Sequence, residues 1–484
     1  MLLTLLLLTA LSLILSLLFT PAVRILALRC NLVDLPDNKR KVHKLPIPRV
    51  GGVALAAAYF GSLVAVAAFF AYQQAELSAG FAAVRSIAPA ALVIFFIGLA
   101  DDIFNLKPWH KFAAQIAAAG MVVSAGVQIH GVAGFHVHPI LLTAGTIVWL
   151  VACTNAVNLI DGLDGLAAGI SLLATLTVFI ASLISGNTGL AIATAPLAGA
   201  LLGFLVFNFN PASIFLGDSG SLFLGFLLGC YSILWSGSSL TVLDMTAPFM
   251  VLAVPLIDTT LAIARRFLRR QPIFKADRSH VHHRLLARGL SHRGTVLLLY
   301  VAAGIAGTLS LCLVSARDPW QSVVLATFAC AVAAGIWKLG YAEFDALRCV
   351  IFRGDLRREI TAHLTVQTFE EGLKAAESAD DCWAVIQDGC KEFGLHAIRM
   401  QLAGHIFAGH GSSTARAMRI PISENDWIEL SHTSGPVGYP AAVVPLANAM
   451  RRVLADKSIH AADIEKQSAV FSAALFKAAA STAN

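Results

Sequence analysis

Charge is scarce in this chain. Lys, Arg, Asp and Glu make up only 13% of its 484 residues, against 57% hydrophobic residues, and the mean hydropathy is +0.73. A soluble globular protein carries about a quarter charged residues, so that class is excluded. The eight cysteines are scattered, with no pair at C-x-x-C spacing. That spacing suggests neither a disulfide framework nor a zinc ribbon, and Cys153, Cys230, Cys312 and Cys330, in apolar runs, read as small buried hydrophobes. The N-terminus lacks a basic n-region and has no small-x-small cleavage site ahead of Arg24, so the first apolar run is expected to stay as a span rather than leave as a signal peptide. Internal repeats and low-complexity tracts are missing too.

What is present is a series of long apolar runs. About 20 apolar residues cross a bilayer as a helix, which gives about 11 transmembrane helices, near 2–27, 51–72, 84–100, 111–130, 138–156, 166–185, 189–207, 220–236, 247–267, 294–315 and 320–339. The fold expected is an all-α polytopic membrane protein. Basic residues crowd alternate connections, from Arg29 to Arg49, at Lys107 and Lys111, and from Arg265 to Arg293, whereas 73–83, 131–137 and 237–246 hold no Lys or Arg. The positive-inside rule makes the basic loops cytoplasmic and puts the N-terminus outside. The net charge of +6 is then a topology signal, and no nucleic-acid partner is expected.

Composition shifts near Tyr341. Residues 1–340 read as the membrane domain and 341–362 as a linker able to lie on the inner leaflet as a basic amphipathic helix. Residues 363–484 read as a small cytosolic α+β domain with helix, three strands and helix, vaguely similar in order to GAF or PAS sensing domains. The histidines of that domain, among them His363 and His405, show no ligand spacing.

Nearly every polar cluster of the membrane domain falls in a loop that the charge rule makes cytoplasmic. "DDIFNLKPWHK" supplies Asp101, Asp102 and Lys111; "NAVNLIDGLDG" supplies Asn155, Asn158, Asp161 and Asp164; "FNFNPASIFLGDSGS" supplies Asn208, Asn210 and Asp218; "DRSHVHHRLL" supplies Arg278, His280, His282, His283 and Arg284. Asn155, Asn158, Asp161 and Asp164 recur every third residue and drift about 60° per step on an α-helix. A straight helix would aim one carboxylate at lipid, so the helix is expected to break near Gly162. Oxygen donors without soft ligands suit a hard cation, Mg²⁺ with Mn²⁺ as a substitute, and cationic Arg and His beside them suit a diphosphate. Asp258, alone in "PLIDTTLAIARR", reads as a structural hydrogen-bonding group more than a catalytic one.

Together "PRVGG", "DDIFNLKPWHK", "NAVNLIDGLDG", "FLGDSGS" and "DRSHVHH", in this order, resemble the polyprenyl-phosphate N-acetylhexosamine-1-phosphate transferase family over residues 1 to about 340. The resemblance implies transfer of an N-acetylhexosamine-1-phosphate, GlcNAc-1-phosphate first, from a UDP-N-acetylhexosamine to undecaprenyl phosphate with Mg²⁺ and release of UMP, in the bacterial cytoplasmic membrane with the site on the cytoplasmic side. It implies Asn158 and Asp218 as metal ligands with Asp161 nearby, Asp164 and Phe215 at the uracil, and Lys111, Arg278, His280, His282, His283 and Arg284 at the diphosphate and sugar phosphate, with Asn155 also in the substrate site. Asp101 and Asp102 match the family's acidic pair, assigned variously as nucleophile, base or carrier-lipid contact. The "HVHHRLL" segment is similar to the branch that starts O-antigen, teichoic-acid or exopolysaccharide synthesis. The alternative in the family is the phospho-MurNAc-pentapeptide transferase of peptidoglycan synthesis, whose histidine run is typically followed by an acidic pair. From other classes, a transporter would hold its ionisable groups near the midplane in matching halves, and an inactive scaffold would have lost acidic motifs. A homodimer and downstream glycosyltransferases complete the expected partners.

Overall fold

The computed structural model describes residues 1–34, 46–70, 81–130, 138–236, 242–268, 280–316, 319–339, 356–376, 378–392, 395–402, 405–409, 417–422, 426–432 and 446–454. The chain divides into two units, one of residues 1–264 and 273–335, the other of residues 265–272 and 336–484.

The first unit is helical because a backbone in hydrocarbon must satisfy its own hydrogen bonds. Its helices are α1 (Leu2–Arg29), α2 (Gly51–Phe70), α3 (Ala82–Phe104), α4 (Pro108–Ser124), α5 (Pro139–Ile160), α6 (Leu166–Ile184), α7 (Thr188–Asn208), α8 (Gly217–Ser236), α9 (Val242–Val251), α10 (Ala253–Leu268), α11 (Val281–Ala287), α12 (His292–Ser315) and α13 (Trp320–Lys338). Among the described residues nine helices are long and apolar enough to cross a membrane, ten if one bent pair counts as a single span. The expectation of about 11 is corrected in two places. The run read as 111–130 forms α4, only 17 residues long. The run read as one span over 247–267 is α9 and α10, bent by 86° at their junction. Hydropathy is blind to that bend, and Pro255, in the first turn of α10, suits a helix start because its missing N–H would be unpaired there anyway.

Small residues fix how the spans pack. A side chain at Gly199 or Gly203 of α7 would run into the backbone of α1 at Thr9 and Leu13, and Ser16 donates to the Ala200 carbonyl at 2.8 Å. Gly225 and Gly229 of α8 make the same kind of notch for α5, against Cys153 and Thr154. Glycines four apart let two backbones approach closely in lipid, so α8 is drawn against α5. It is also the most enclosed span, 83% buried against 6% for α13. Cys153 and Cys230 are buried as expected, but Cys312 and Cys330 are exposed because they lie on lipid-facing sides of α12 and α13.

A two-stranded ribbon, β1 (Val33–Asp34) with β2 (Ile47–Pro48), lies between α1 and α2. The second unit holds α14 (Leu356–Ala375), α15 (Ala379–Glu392) and the strands β3 (Leu395–Leu402), β4 (His405–Ala408), β5 (Ala417–Pro421) and β6 (Trp427–His432). The sheet is antiparallel in the order β4-β3-β6-β5, and a further helix covers 446–454. Met400 pairs with Ile428 and Arg399 with Glu429, so alternate residues face opposite ways. Met400, Ile428 and Leu430 join Phe369, Ile386 and Leu446 in the core. The strand β4 was not anticipated, and α14 starts inside the stretch read as a linker able to form an amphipathic helix but runs on to Ala375.

Candidate active site

The acidic loops meet. The Lys111 ammonium, on the first turns of α4, lies 3.0 Å from Asp101 Oδ2 and 2.8 Å from Asp218 Oδ2, while Asn158 at the end of α5 donates to Asp218 Oδ1 at 3.0 Å and to Ser221 Oγ at 2.8 Å. Residues from the ends of α3, α4, α5 and α8 thus form one network. Its shape starts at Asn105, whose left-handed backbone (φ 50°) ends α3 and, with Leu106 donating to Asp101 Oδ1 at 2.7 Å, turns the chain so that Lys111 comes back over Asp101.

Asp101 and Asp102 have separate tasks. Asp101 faces Lys111, whereas Asp102 is buried and accepts from the backbone N–H of Asp218 at 2.8 Å and of Ser219 at 3.0 Å. A helix start leaves such N–H groups unpaired and carries a partial positive charge, so Asp102 caps α8 from another helix. The far side of the same turn is held by the segment after the first span: Phe215 donates to the Pro48 carbonyl, Gly51 to the Phe215 carbonyl, and Gly52 to the Leu216 carbonyl, at 2.8–2.9 Å. A side chain at Gly52 would collide with Gly220 and one at Gly51 with the Phe215 carbonyl, which accounts for both glycines in "PRVGG". The Phe215 side chain is half-buried.

The α5 helix ends at Ile160 and α6 begins at Leu166, with Gly165 at φ 78°, so the break near Gly162 is present. The Asp164 Oδ2 atom accepts from Asn210 Nδ2 and from the Ala212 N–H, both at 3.0 Å, fixing the loop that leads to Phe215. Asn155 forms a reciprocal amide pair with the buried Gln115 of α4, 2.6 Å in its shorter arm, a contact between helices that the sequence reading did not contain.

The histidine turn closes the arrangement from α11. Arg278 lies outside the described residues. His280 is buried with Nδ1 2.8 Å from Asp258 Oδ2, so Asp258 has the hydrogen-bonding role expected of it. His282 is 1% exposed, and its ring fills the space a side chain on Gly162 would need. Burial, seconded by His283, pushes the His282 pKa down to about 3, so the ring is neutral at pH 7. His283 lies against it with the rings tilted by 45° and centroids 4.3 Å apart and is exposed; Arg284 is half-buried.

The cluster is rich in negative charge. Burial first, then the carboxylates of Asp218, Asp102 and Asp164, push the Asp161 pKa up to about 8, and a cation placed beside it would oppose that rise. Among the described residues no three His, Cys, Asp or Glu side chains form a ready-made cage. Mg²⁺ does not need one, since it takes one or two protein carboxylates and completes its shell with water and phosphate. Asp218 and Asp161 with the amide oxygen of Asn158 fit that demand.

Besides Gln115, sequence reasoning missed Ser221 and Tyr300, whose hydroxyl donates to the Gly165 carbonyl at 2.5 Å. Ser221 had a usable signal, since it sits one turn after Asp218.

The chain matches the model of "Glycosyl transferase family 4" over residues 84–236. It is 37% identical over 324 residues, 65% of this chain and 86% of the relative, to a protein of Bacillus subtilis strain 168 described as a probable undecaprenyl-phosphate N-acetylglucosaminyl 1-phosphate transferase. It is 39% identical over 312 residues, 58% of this chain and 75% of the relative, to a decaprenyl-phosphate N-acetylglucosaminephosphotransferase of Mycolicibacterium smegmatis. A phospho-N-acetylmuramoyl-pentapeptide-transferase of Streptococcus uberis is 32% identical over 272 residues, 53% of this chain and 79% of the relative. With this likeness, and with the acidic loops gathered at one set of helix ends, the chain belongs to the polyprenyl-phosphate N-acetylhexosamine-1-phosphate transferase family.

Proposed function

We propose that the protein transfers GlcNAc-1-phosphate from UDP-GlcNAc to undecaprenyl phosphate, releases UMP, and so starts a lipid-linked cell-surface polysaccharide. The observation that carries this reading is the Lys111 ammonium held between Asp101 and Asp218 beside Asn158. A cation and an acidic, amide-rich cradle at the ends of four helices are what a diphosphate and its counter-ion need. The greater identity to the two GlcNAc-1-phosphate transferases than to the pentapeptide transferase favours GlcNAc.

In the reaction, an oxygen of the lipid phosphate forms a bond to the donor's β-phosphorus, and the bond from that phosphorus to the bridging oxygen breaks, its electron pair leaving on UMP. A phosphate monoester has a second pKa near 6, so the attacking group is already largely dianionic at pH 7 and needs little help from a base. Asp218, Asn158 and Asp161 would hold Mg²⁺, which when bound offsets the charge of the diphosphate. Lys111 neutralises phosphate oxygens, and Asp101 orients Lys111. Asp102, with both oxygens committed to backbone N–H groups, holds Asp218 in place and does not attack. Phe215 offers a face for the uracil, and Asp164 shapes the loop beneath it. Arg278, His283 and Arg284 bind donor phosphate from the histidine turn.

The carrier's tail stays in the bilayer, so the site must open sideways, and the exposed Phe104 and Trp109 beside Asp101 and Lys111 suit an interfacial position. The same reading places the N-terminus outside, the basic loops and the second unit in the cytoplasm, and the chain in the bacterial inner membrane.

Purified protein in detergent, given UDP-GlcNAc, undecaprenyl phosphate and Mg²⁺, is expected to release UMP, and a panel of UDP-N-acetylhexosamines ranks the donors. No UMP from any donor would end this reading. A radiolabelled sugar-phosphate trapped on Asp101 or Asp102 would replace direct attack with a two-step route.

A further inference from the structure

Asp258 lies on α10, just after the 86° bend from α9, beyond the stretch matched by the family model. Its side chain is 3% exposed and that of His280 6%. One carboxylate oxygen meets His280 Nδ1 at 2.8 Å, and the other accepts from the Val281 N–H at 2.8 Å. A carboxylate can only accept, so the contact sets the His280 tautomer with the proton on Nδ1. Both bonds therefore end on the two residues directly ahead of His282 and His283.

That placement answers a need of α11. At seven residues the helix is far below the length at which one holds itself together, and the residue that precedes it at the cap position, His280, gives no side-chain cap of its own. The helix nevertheless has to hold a buried His282 whose Nδ1 has no hydrogen-bond partner against Gly162, at the break between α5 and α6. An anchor outside α11 is required, and Asp258 is one.

We propose that Asp258 is a positioning residue: through His280 and the Val281 amide it seats the histidine turn, so that His282 packs on the Asp161–Gly162 corner and His283 is presented to the donor's phosphates. The part played by the donor rests on the function proposed above; the anchoring does not.

The test uses the full-length protein with Asp258→Ala, Asp258→Asn, His280→Ala and the Asp258→Ala/His280→Ala double variant. Asp258→Ala is expected to lower kcat/KM for UDP-GlcNAc at least thirtyfold while KM for undecaprenyl phosphate stays within twofold. Asp258→Asn, which keeps an acceptor for the Val281 amide, is expected to lose less. The double variant should lose no more than the worse single one, because the two side chains act as a unit. Independently of turnover, amide hydrogen exchange over 281–287 should quicken at least tenfold in Asp258→Ala, with exchange over 150–157 of α5 unchanged. Unchanged donor kcat/KM together with unchanged exchange over 281–287 overturns the proposal, as does an equal loss for both substrates with faster exchange throughout, which marks general destabilisation. If the wild type releases no UMP, the donor reading falls and the exchange result alone decides the anchoring.

Discussion

In the membrane unit and the second unit, an ion pair means different things. The Lys111 pairs with Asp101 and Asp218 join three helices and are 15–25% exposed. In the second unit Glu370 pairs with Lys374 one turn along and with Arg452, whose side chains are 64% and 70% exposed. A pair in water is worth at most about 1 kcal/mol. A carboxylate at the end of a transmembrane helix has no such freedom, since one left without partners costs about 3 kcal/mol or more. A polar residue in the first unit is therefore evidence of a specific neighbour, and in the second it is mostly evidence of solvent.

The sharpest way to break this contrast is Asp218→Ala, which removes the shared partner of Lys111 and Asn158 and is expected to cut UMP release about 10³-fold; activity within tenfold of wild type would show that the network is scaffolding only. Next is Asp102→Ala, which strands two N–H groups at the start of α8 and should destabilise the protein by about 3 kcal/mol, read as a lowered melting temperature in detergent. Its control is Lys374→Ala in the second unit, expected to change stability by less than about 1 kcal/mol.

A smaller effect belongs to acid. His282 is neutral when folded, with its pKa held near 3 against about 6.5 when unfolded. The unfolded chain therefore binds a proton that the folded one refuses, and stability present above pH 6.5 is lost as the pH falls towards 3, by up to about 1.4 kcal/mol per pH unit. A His282→Gln variant should show a shallower fall in melting temperature between pH 7 and pH 4; an identical slope would assign the acid lability to other groups. Smallest of all, a chain ending at Lys338 is expected to release UMP within about twofold of the full-length rate, since every described site residue lies in the first unit. A large loss would mean that the two units are not independent in function.

How far the sequence could be read follows the same division. The break at Gly162 was legible because four polar residues at a three-residue interval cannot all face one way on a straight helix. The meeting of the loops was legible because the distribution of Lys and Arg put them on one side before any packing was known. The partner of Asn155 was not, because Gln115 lies 40 residues away and nothing local marks it. Nor was the task of Asp102: its partners are backbone amides of residues 218 and 219, which carry no side-chain signal. The bend before Ala253 escaped because an average over apolar residues does not register direction. The strand β4 escaped because its four residues are too few to show alternation.

The stitching of Pro48, Gly51 and Gly52 to Phe215 and Leu216 has a consequence for biosynthesis. The floor beneath Asp218 is assembled from pieces about 165 residues apart along the polypeptide. Until the ribosome has delivered residue 216, Pro48, Gly51 and Gly52 lack these backbone partners. The histidine turn at 280–287 follows later still, so more than half of the 484 residues are made before all these groups can meet.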